Sequence, residues 1–196
     1  MFGRFIQMAK HYPVLSMLLS ANLIFYLLLS LPVFPRLSLY QSLSGINLYI
    51  ADGEWWRLIT PIFLHSSFEH VMFNCVALYI LGEALESSIG SVRLLLLFVC
   101  TGIIANIITY LVHPLTYIHV GASGSLYGLL GFYLFFSIFK KSLLSRQKRI
   151  MIYSLAIVGI ILTFIQPGIN HTGHLGGLAA GLLIAPLLSK KAAPLW

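Results

Sequence analysis

The sequence predicts an all-α integral membrane protein, a bundle of six transmembrane helices with both termini in the cytoplasm. Three observations carry that expectation. Hydrophobic residues make up 59% of the 196-residue chain and charged residues 9%, against roughly 25% charged in ordinary soluble domains. Mean hydropathy is +0.92, so the solvent for most of this surface must be lipid. Six apolar stretches approach or exceed the roughly 17 to 25 residues that span a hydrocarbon core, and the basic side chains gather on one side of the resulting layout.

The first span is expected over Val14–Pro32, with Pro13 opening the helix. It is too long for a signal peptide and lacks a small-residue cleavage site. The second is read over Pro61–Leu85. The third covers Val92–Val112 and is stopped by Pro114. The fourth, Ser123–Phe139, is short and rich in glycine. The fifth is expected over Ile150–Ile165 and the sixth over Thr172–Leu188. Short tails, 1–13 and 189–196, complete a single domain over 1–196, and there is no internal repeat. Ten of the twelve Lys and Arg residues fall on one side of this layout, leaving Arg36 and Arg57 on the other. That bias places both termini in the cytoplasm, and the membrane expected is the cell inner (plasma) membrane. The long connection Phe34–Thr60 lies on the opposite side. Its Tyr40, Tyr49, Trp55 and Trp56 suit the membrane interface, where amphipathic aromatics settle.

The net charge of +7 does not indicate nucleic acid, because the cations sit at the ends of apolar segments rather than forming a stripe with interleaved aromatics. Cys75 and Cys100 lie inside apolar runs and read as small buried hydrophobes. The partner expected from composition is the lipid bilayer.

Ionisable and strongly polar groups are costly inside a membrane and mark functional sites by default. His65, His70 and Asn74 fall on the second span, Ser123 and Tyr127 on the fourth, and His171 and His174 on the sixth. Each of these spans begins on the non-cytoplasmic side, and each residue lies in its first half, so the polar groups share one depth below the outer face. His70 and Asn74, four residues apart, occupy one helix face, and both can donate hydrogen bonds. Ser123 sits in Gly121-Ala-Ser-Gly-Ser125 at a helix start, where free N–H groups favour developing negative charge. Gly177 and Gly181 after His174 form a small-residue face, as do Gly124, Gly128 and Gly131 after Ser123. Such faces let helices approach closely in lipid. If they meet, Ser123 and His174 come together.

A serine hydroxyl needs a base to take its proton, and neutral histidine is the usual one. His171 and His174 share a face, and either is chemically able; the glycine face favours His174. The oxyanion of the intermediate needs donors, for which the Ser123 N–H, His70 and Asn74 are candidates, with Tyr127 in support. A carboxylate partner is not expected. Asp52 and Glu54 are in the long connection, Glu83 and Glu86 are at the far end, and Glu69 points off the His70 face. A metal site from His65, His70, His171 and His174 lacks carboxylate or cysteine ligands, so no metal or cofactor is expected. His113 and His119 read as surface residues flanking a loop.

These residues resemble the rhomboid intramembrane serine proteases of the bacterial GlpG type, over nearly the whole chain. The correspondences are Gly121-Ala-Ser123-Gly, His70 with Asn74, His174 with Gly177 and Gly181, and Trp56-Arg57 in the first loop. The resemblance implies a peptidase that cuts transmembrane segments of other proteins near their outer ends. One departure is visible. Relatives often carry Glu-x-Arg-x-Gly after the second span, whereas this chain has Glu86-Ser-Ser88-Ile-Gly90, which questions a structural contact at the cytoplasmic end. Two rival functions weigh less. A channel or transporter would show a repeat or a polar line through the full thickness, and non-catalytic relatives lack the serine or the histidine. The Gln166–Asn170 link, turn-prone at Pro167 and Gly168, is expected to cap a recess over the site and to move with the top of the fifth span.

Overall fold

The computed structural model describes residues 9–32 and 35–189, so Phe34, Arg4, Lys190, Lys191 and most of both expected tails lie outside the described residues. The first long helix, α1 (Pro13–Ser30), opens with proline at its first position, where a missing N–H leaves no helical bond unmade. The next two N–H groups, of Val14 and Leu15, donate to the two carboxylate oxygens of Glu86 at 2.9 and 2.8 Å. Ser91 Oγ also donates to Glu86, at 2.6 Å. Glu86 of the Glu86-Ser-Ser88-Ile-Gly90 segment thus makes a structural contact at this end of the bundle. It ties the start of α1 to the end of a helix more than seventy residues later.

The long connection is built rather than loose. It holds helix α2 (Arg36–Leu43), strand β1 (Gly45–Ile46), helix α3 (Asn47–Ala51) and single 3-10 turns at Trp55–Leu58 and Thr60–Phe63. Arg57 is its fastener. The side chain is 4% exposed, donates to the carbonyls of Gln41 and Ser44, and pairs with Glu54 at 2.6 Å. Its guanidinium lies 4.8 Å from the Tyr49 ring centre. A buried guanidinium with every face engaged fixes a segment that helix or strand periodicity does not. Trp55 and Trp56 are more than half exposed, as side chains destined for an interface should be.

Helix α4 (Phe68–Ile89) begins seven residues later than the apolar run suggested. Pro61 opens a 3-10 turn instead, and Ser67 caps the helix by accepting from the His70 N–H at 3.2 Å. His65 therefore precedes the helix and does not lie on it. Helix α5 (Ser91–Val112) follows Gly90, whose φ of +84° turns the chain tightly in a region disfavoured for other residues. Strand β2 (Ile118–His119) then pairs antiparallel with β1, Gly45 opposite His119 and Ile46 opposite Ile118. Helix α6 (Ser123–Phe139) has the expected bounds. Helix α7 (Arg146–Ile165) starts four residues before the expected Ile150, capped by Ser145. Helix α8 (His171–Leu188) is capped by Asn170, whose Oδ1 accepts from the Gly173 N–H at 2.9 Å.

Helices α1, α4, α5, α7 and α8 are each long and apolar enough to cross a membrane; α6, at 17 residues, is apolar but shorter. Large side chains such as Phe73, Leu111 and Leu183 stand outward and uncovered, which suits a lipid surround. The short helix is the axis of the bundle. Phe132, Tyr133 and Phe136 on α6 are fully buried, and the glycine faces meet. A methyl group on Gly177 would strike the Gly124 carbonyl oxygen, one on Gly181 that of Gly128, and one on Gly131 that of Leu178. The backbones of α6 and α8 thus touch along two turns, which only glycine permits.

Candidate active site

The α6–α8 contact decides what lies at its outer end. Ser123 is the first residue of α6 and half-buried; His174 is in the first turn of α8 and 7% exposed. Both line one small recess, together with Gly121, Asn106, His119 and Asn170. Among the described residues no hydrogen bond joins Ser123 Oγ to His174. Catalytic bonds of this kind are often long before substrate arrives.

His174 is held on two sides. Its ring stacks on Tyr127, centroids 4.1 Å apart and planes inclined by 18°, and its Nδ1 lies 2.8 Å from Thr163 Oγ1 on α7. Nε2 makes no hydrogen bond among the described residues. Tyr127 does not turn its hydroxyl toward Ser123. It donates to the Gly159 carbonyl at 2.6 Å and meets Thr163 Oγ1 at 2.7 Å.

His70 and Asn74 lie against the backbone at Gly121. Gly121 has φ +122°, and a methyl group there would lie 2.6 Å from His70 Nε2 and 3.8 Å from Asn74 Nδ2. Two side-chain donors therefore converge on the backbone just before Ser123. Ser66 Oγ lies 3.2 Å from His70 Nδ1; a hydroxyl donating there leaves His70 Nε2–H as the donor beside Gly121. Asn74 Nδ2 is buried with no partner among the described residues, an uncompensated state that costs about 1–3 kcal/mol and leaves a donor unspent beside Gly121.

Of the remaining histidines, His171 and His65 do not line the recess. His171 is exposed at the rim, its ring 5.8 Å from His113 and 5.9 Å from Phe164. His65 is buried, edge-on to His70 at 4.9 Å. Among the described residues no three His, Cys, Asp or Glu side chains gather as metal ligands would. His119, expected at the surface, is instead 6% exposed against Gly45 and lines the recess. Burial, and secondarily the charge of His113, lowers its pKa to about 4.

A family model for the Rhomboid domain matches residues 52–191, which contain every one of these side chains. The chain belongs to the rhomboid family. YdcA of Bacillus subtilis (strain 168) is 41% identical over 180 residues, covering 92% of this chain and 90% of YdcA. The rhomboid protease GluP of the same organism is 37% identical over 142 residues, covering 72% of this chain but 28% of GluP. The rhomboid protease AarA of Providencia stuartii is 31% identical, over 73% of this chain and 60% of AarA. This rhomboid is a multi-pass membrane protein. Two members of its site escaped the sequence reading. Thr163 was hidden because a lone threonine in an apolar helix usually bonds only its own carbonyl four residues back. His119 was hidden because its burial depends on the β1–β2 pairing, which short strands do not announce.

Proposed function

We propose that this rhomboid is an intramembrane serine endopeptidase that cuts transmembrane segments of other membrane proteins with a Ser123–His174 dyad. The observation that carries the reading is the glycine-to-glycine contact of α6 and α8, at whose outer end Ser123 and His174 line one recess. His174 Nε2 takes the Ser123 proton as Oγ attacks the scissile carbonyl. The oxyanion then accepts from the Ser123 N–H, His70 Nε2–H and Asn74 Nδ2–H, while Tyr127 keeps the imidazole plane in place. His174 returns the proton to the leaving amine, and water, activated by the same base, frees the acyl-enzyme.

The finer topology belongs to the same proposal. The chain is one domain over 1–196 with six spans, α6 being the short one, and both termini are cytoplasmic in the cell inner (plasma) membrane. The ten-to-two bias of basic residues supports this. Substrate enters beside the Gln166–Asn170 link and the top of α7, whose buried residues are confined to Ile152, Ala156 and Thr163. A disulfide tether from Ile169 to α4, made after replacing Cys75 and Cys100, should stop cleavage when oxidised; equal rates in both redox states would move the gate elsewhere. The function itself is tested with purified protein and a transmembrane substrate. Ser123→Ala and His174→Ala should each abolish cleavage in folded protein, His171→Ala should keep most of it, and appreciable cleavage by Ser123→Ala would falsify the assignment.

A further inference from the structure

A histidine can act as base at Nε2 only when its proton sits on Nδ1, and something must hold it there. Serine hydrolases commonly use a carboxylate for this purpose, and none reaches His174. The nearest group to Nδ1 is the hydroxyl of Thr163, at 2.8 Å. Thr163 is 4% exposed and sits on α7, in line with Ile152 and Ala156, the other buried residues of that helix.

Four short contacts define the cluster: Thr163 Oγ1 to His174 Nδ1 at 2.8 Å, to Gly159 O at 2.9 Å and to Tyr127 OH at 2.7 Å, and Tyr127 OH to Gly159 O at 2.6 Å. The protons available decide how many become hydrogen bonds. With Nδ1 protonated there are three: His174 donates to Thr163, Thr163 donates to Gly159 O, and Tyr127 donates to Gly159 O or Thr163. With Nδ1 bare there are two, because Thr163 must turn its single proton to His174 and forsake Gly159. In a buried cluster the arrangement that makes more bonds wins. That arrangement leaves the Nε2 lone pair facing Ser123.

Resting on the dyad reading above, we propose that Thr163 is the positioning residue of the dyad: its hydroxyl, anchored on Gly159 and Tyr127, selects the tautomer of His174 that can deprotonate Ser123. Thr163 touches neither substrate nor nucleophile and acts only through His174. The base is thus supported from α7, a different helix from the one that carries it. Full activity requires the outer half of α7 to stay packed during the chemical step.

The experiment compares wild type, Thr163→Val, Thr163→Ser and Ser123→Ala in detergent or reconstituted vesicles, with a transmembrane substrate. Valine keeps the shape and removes the hydroxyl; serine keeps the hydroxyl. Thr163→Val should lose about fivefold in kcat, the size expected for one neutral hydrogen bond of about 1 kcal/mol, with KM nearly unchanged, and Thr163→Ser should recover most of it. Solid-state NMR of ¹⁵N-histidine-labelled wild type, with His174 assigned by difference from His174→Gln, should show Nδ1 protonated and Nε2 bare. This second measurement stands even if the valine variant folds poorly. The proposal is overturned by a wild-type proton on Nε2, by a Thr163→Val enzyme with normal kcat, by a rise in KM alone, or by a serine variant as slow as valine. Activity in Ser123→Ala would instead sink the dyad, and is recognisably different from a normal Thr163→Val enzyme beside an inert Ser123→Ala.

Discussion

Replacing Glu86 by alanine should destabilise this protein without touching its chemistry. The Glu86 carboxylate accepts from Val14 N–H, Leu15 N–H and Ser91 Oγ, at the opposite end of the bundle from Ser123. Pro13 has no N–H, so these two amides are the first free donors of α1, and alanine leaves both without their partner. Leu15 is fully buried and Val14 partly so. The Leu15 amide should cost about 2 kcal/mol and the half-wetted Val14 amide about 1 kcal/mol. Losing an anion at a helix N-terminus adds about 0.5 kcal/mol. The total is about 3–4 kcal/mol. Glu86→Gln, which keeps one acceptor oxygen and places a donor against the other amide, should fall between. Thermal or sodium dodecyl sulfate unfolding of the purified protein measures the loss, and kcat well below the melting transition should stay near wild type. An unchanged transition in Glu86→Ala would refute the capping argument, and a selective collapse of kcat in folded protein would refute the separation of the two ends.

Other consequences follow from the site and its scaffold. Asn74→Ala should lower kcat by about 100-fold, the cost of one oxyanion donor, with a smaller effect on KM; a rise in KM alone would make Asn74 a substrate-binding residue. Gly177→Val should part α6 from α8, because even a methyl group would strike the Gly124 carbonyl oxygen, and both melting temperature and cleavage should drop; a variant as stable and active as wild type would show that the backbones are not in contact. Folded His119 has a pKa of about 4, below the roughly 6.5 of an unfolded histidine. Its contribution is complete above that higher value, and falls as pH drops toward 4, because the unfolded chain takes up a proton that the buried ring cannot. From pH 7.5 to 4.5 that amounts to about 2–3 kcal/mol, so His119→Gln should melt with a visibly flatter pH dependence than wild type, and equal slopes would contradict the burial argument.

Much of this was legible because a membrane makes polar residues conspicuous. Ser123, His174, His70 and Asn74 stand out in apolar runs, and their shared depth follows from helix direction alone. The bounds of α6 and the matching glycine spacing on α6 and α8 were also readable, since small residues four apart on two helices have few other uses. Long-range facts were not readable. Glu86 shows as a charge at a helix end, but nothing local says that it caps α1. Pro61 reads as a helix opener by its own chemistry, and only the Ser67 cap, a weaker signal, marks the true start. Helix α2, the β1–β2 pair and the 3-10 turns owe their form to Arg57 reaching back to the carbonyls of Gln41 and Ser44, and no periodicity records such contacts. Thr163 belongs to the same class: its spacing from Ile152 and Ala156 places it on the buried stripe of α7, but the imidazole it meets lies on another helix.

The central claim is that Ser123 becomes nucleophilic because His174 serves it. A fluorophosphonate probe reports this directly, since it bonds covalently only to an activated serine and needs no knowledge of the natural substrate. Labelled protein is digested and the modified residue located by mass spectrometry. The account predicts a single adduct, on Ser123, formed by wild type and His171→Ala and lost in both Ser123→Ala and His174→Ala. An adduct on another serine, or equal labelling of Ser123 in wild type and in folded His174→Ala, would contradict it.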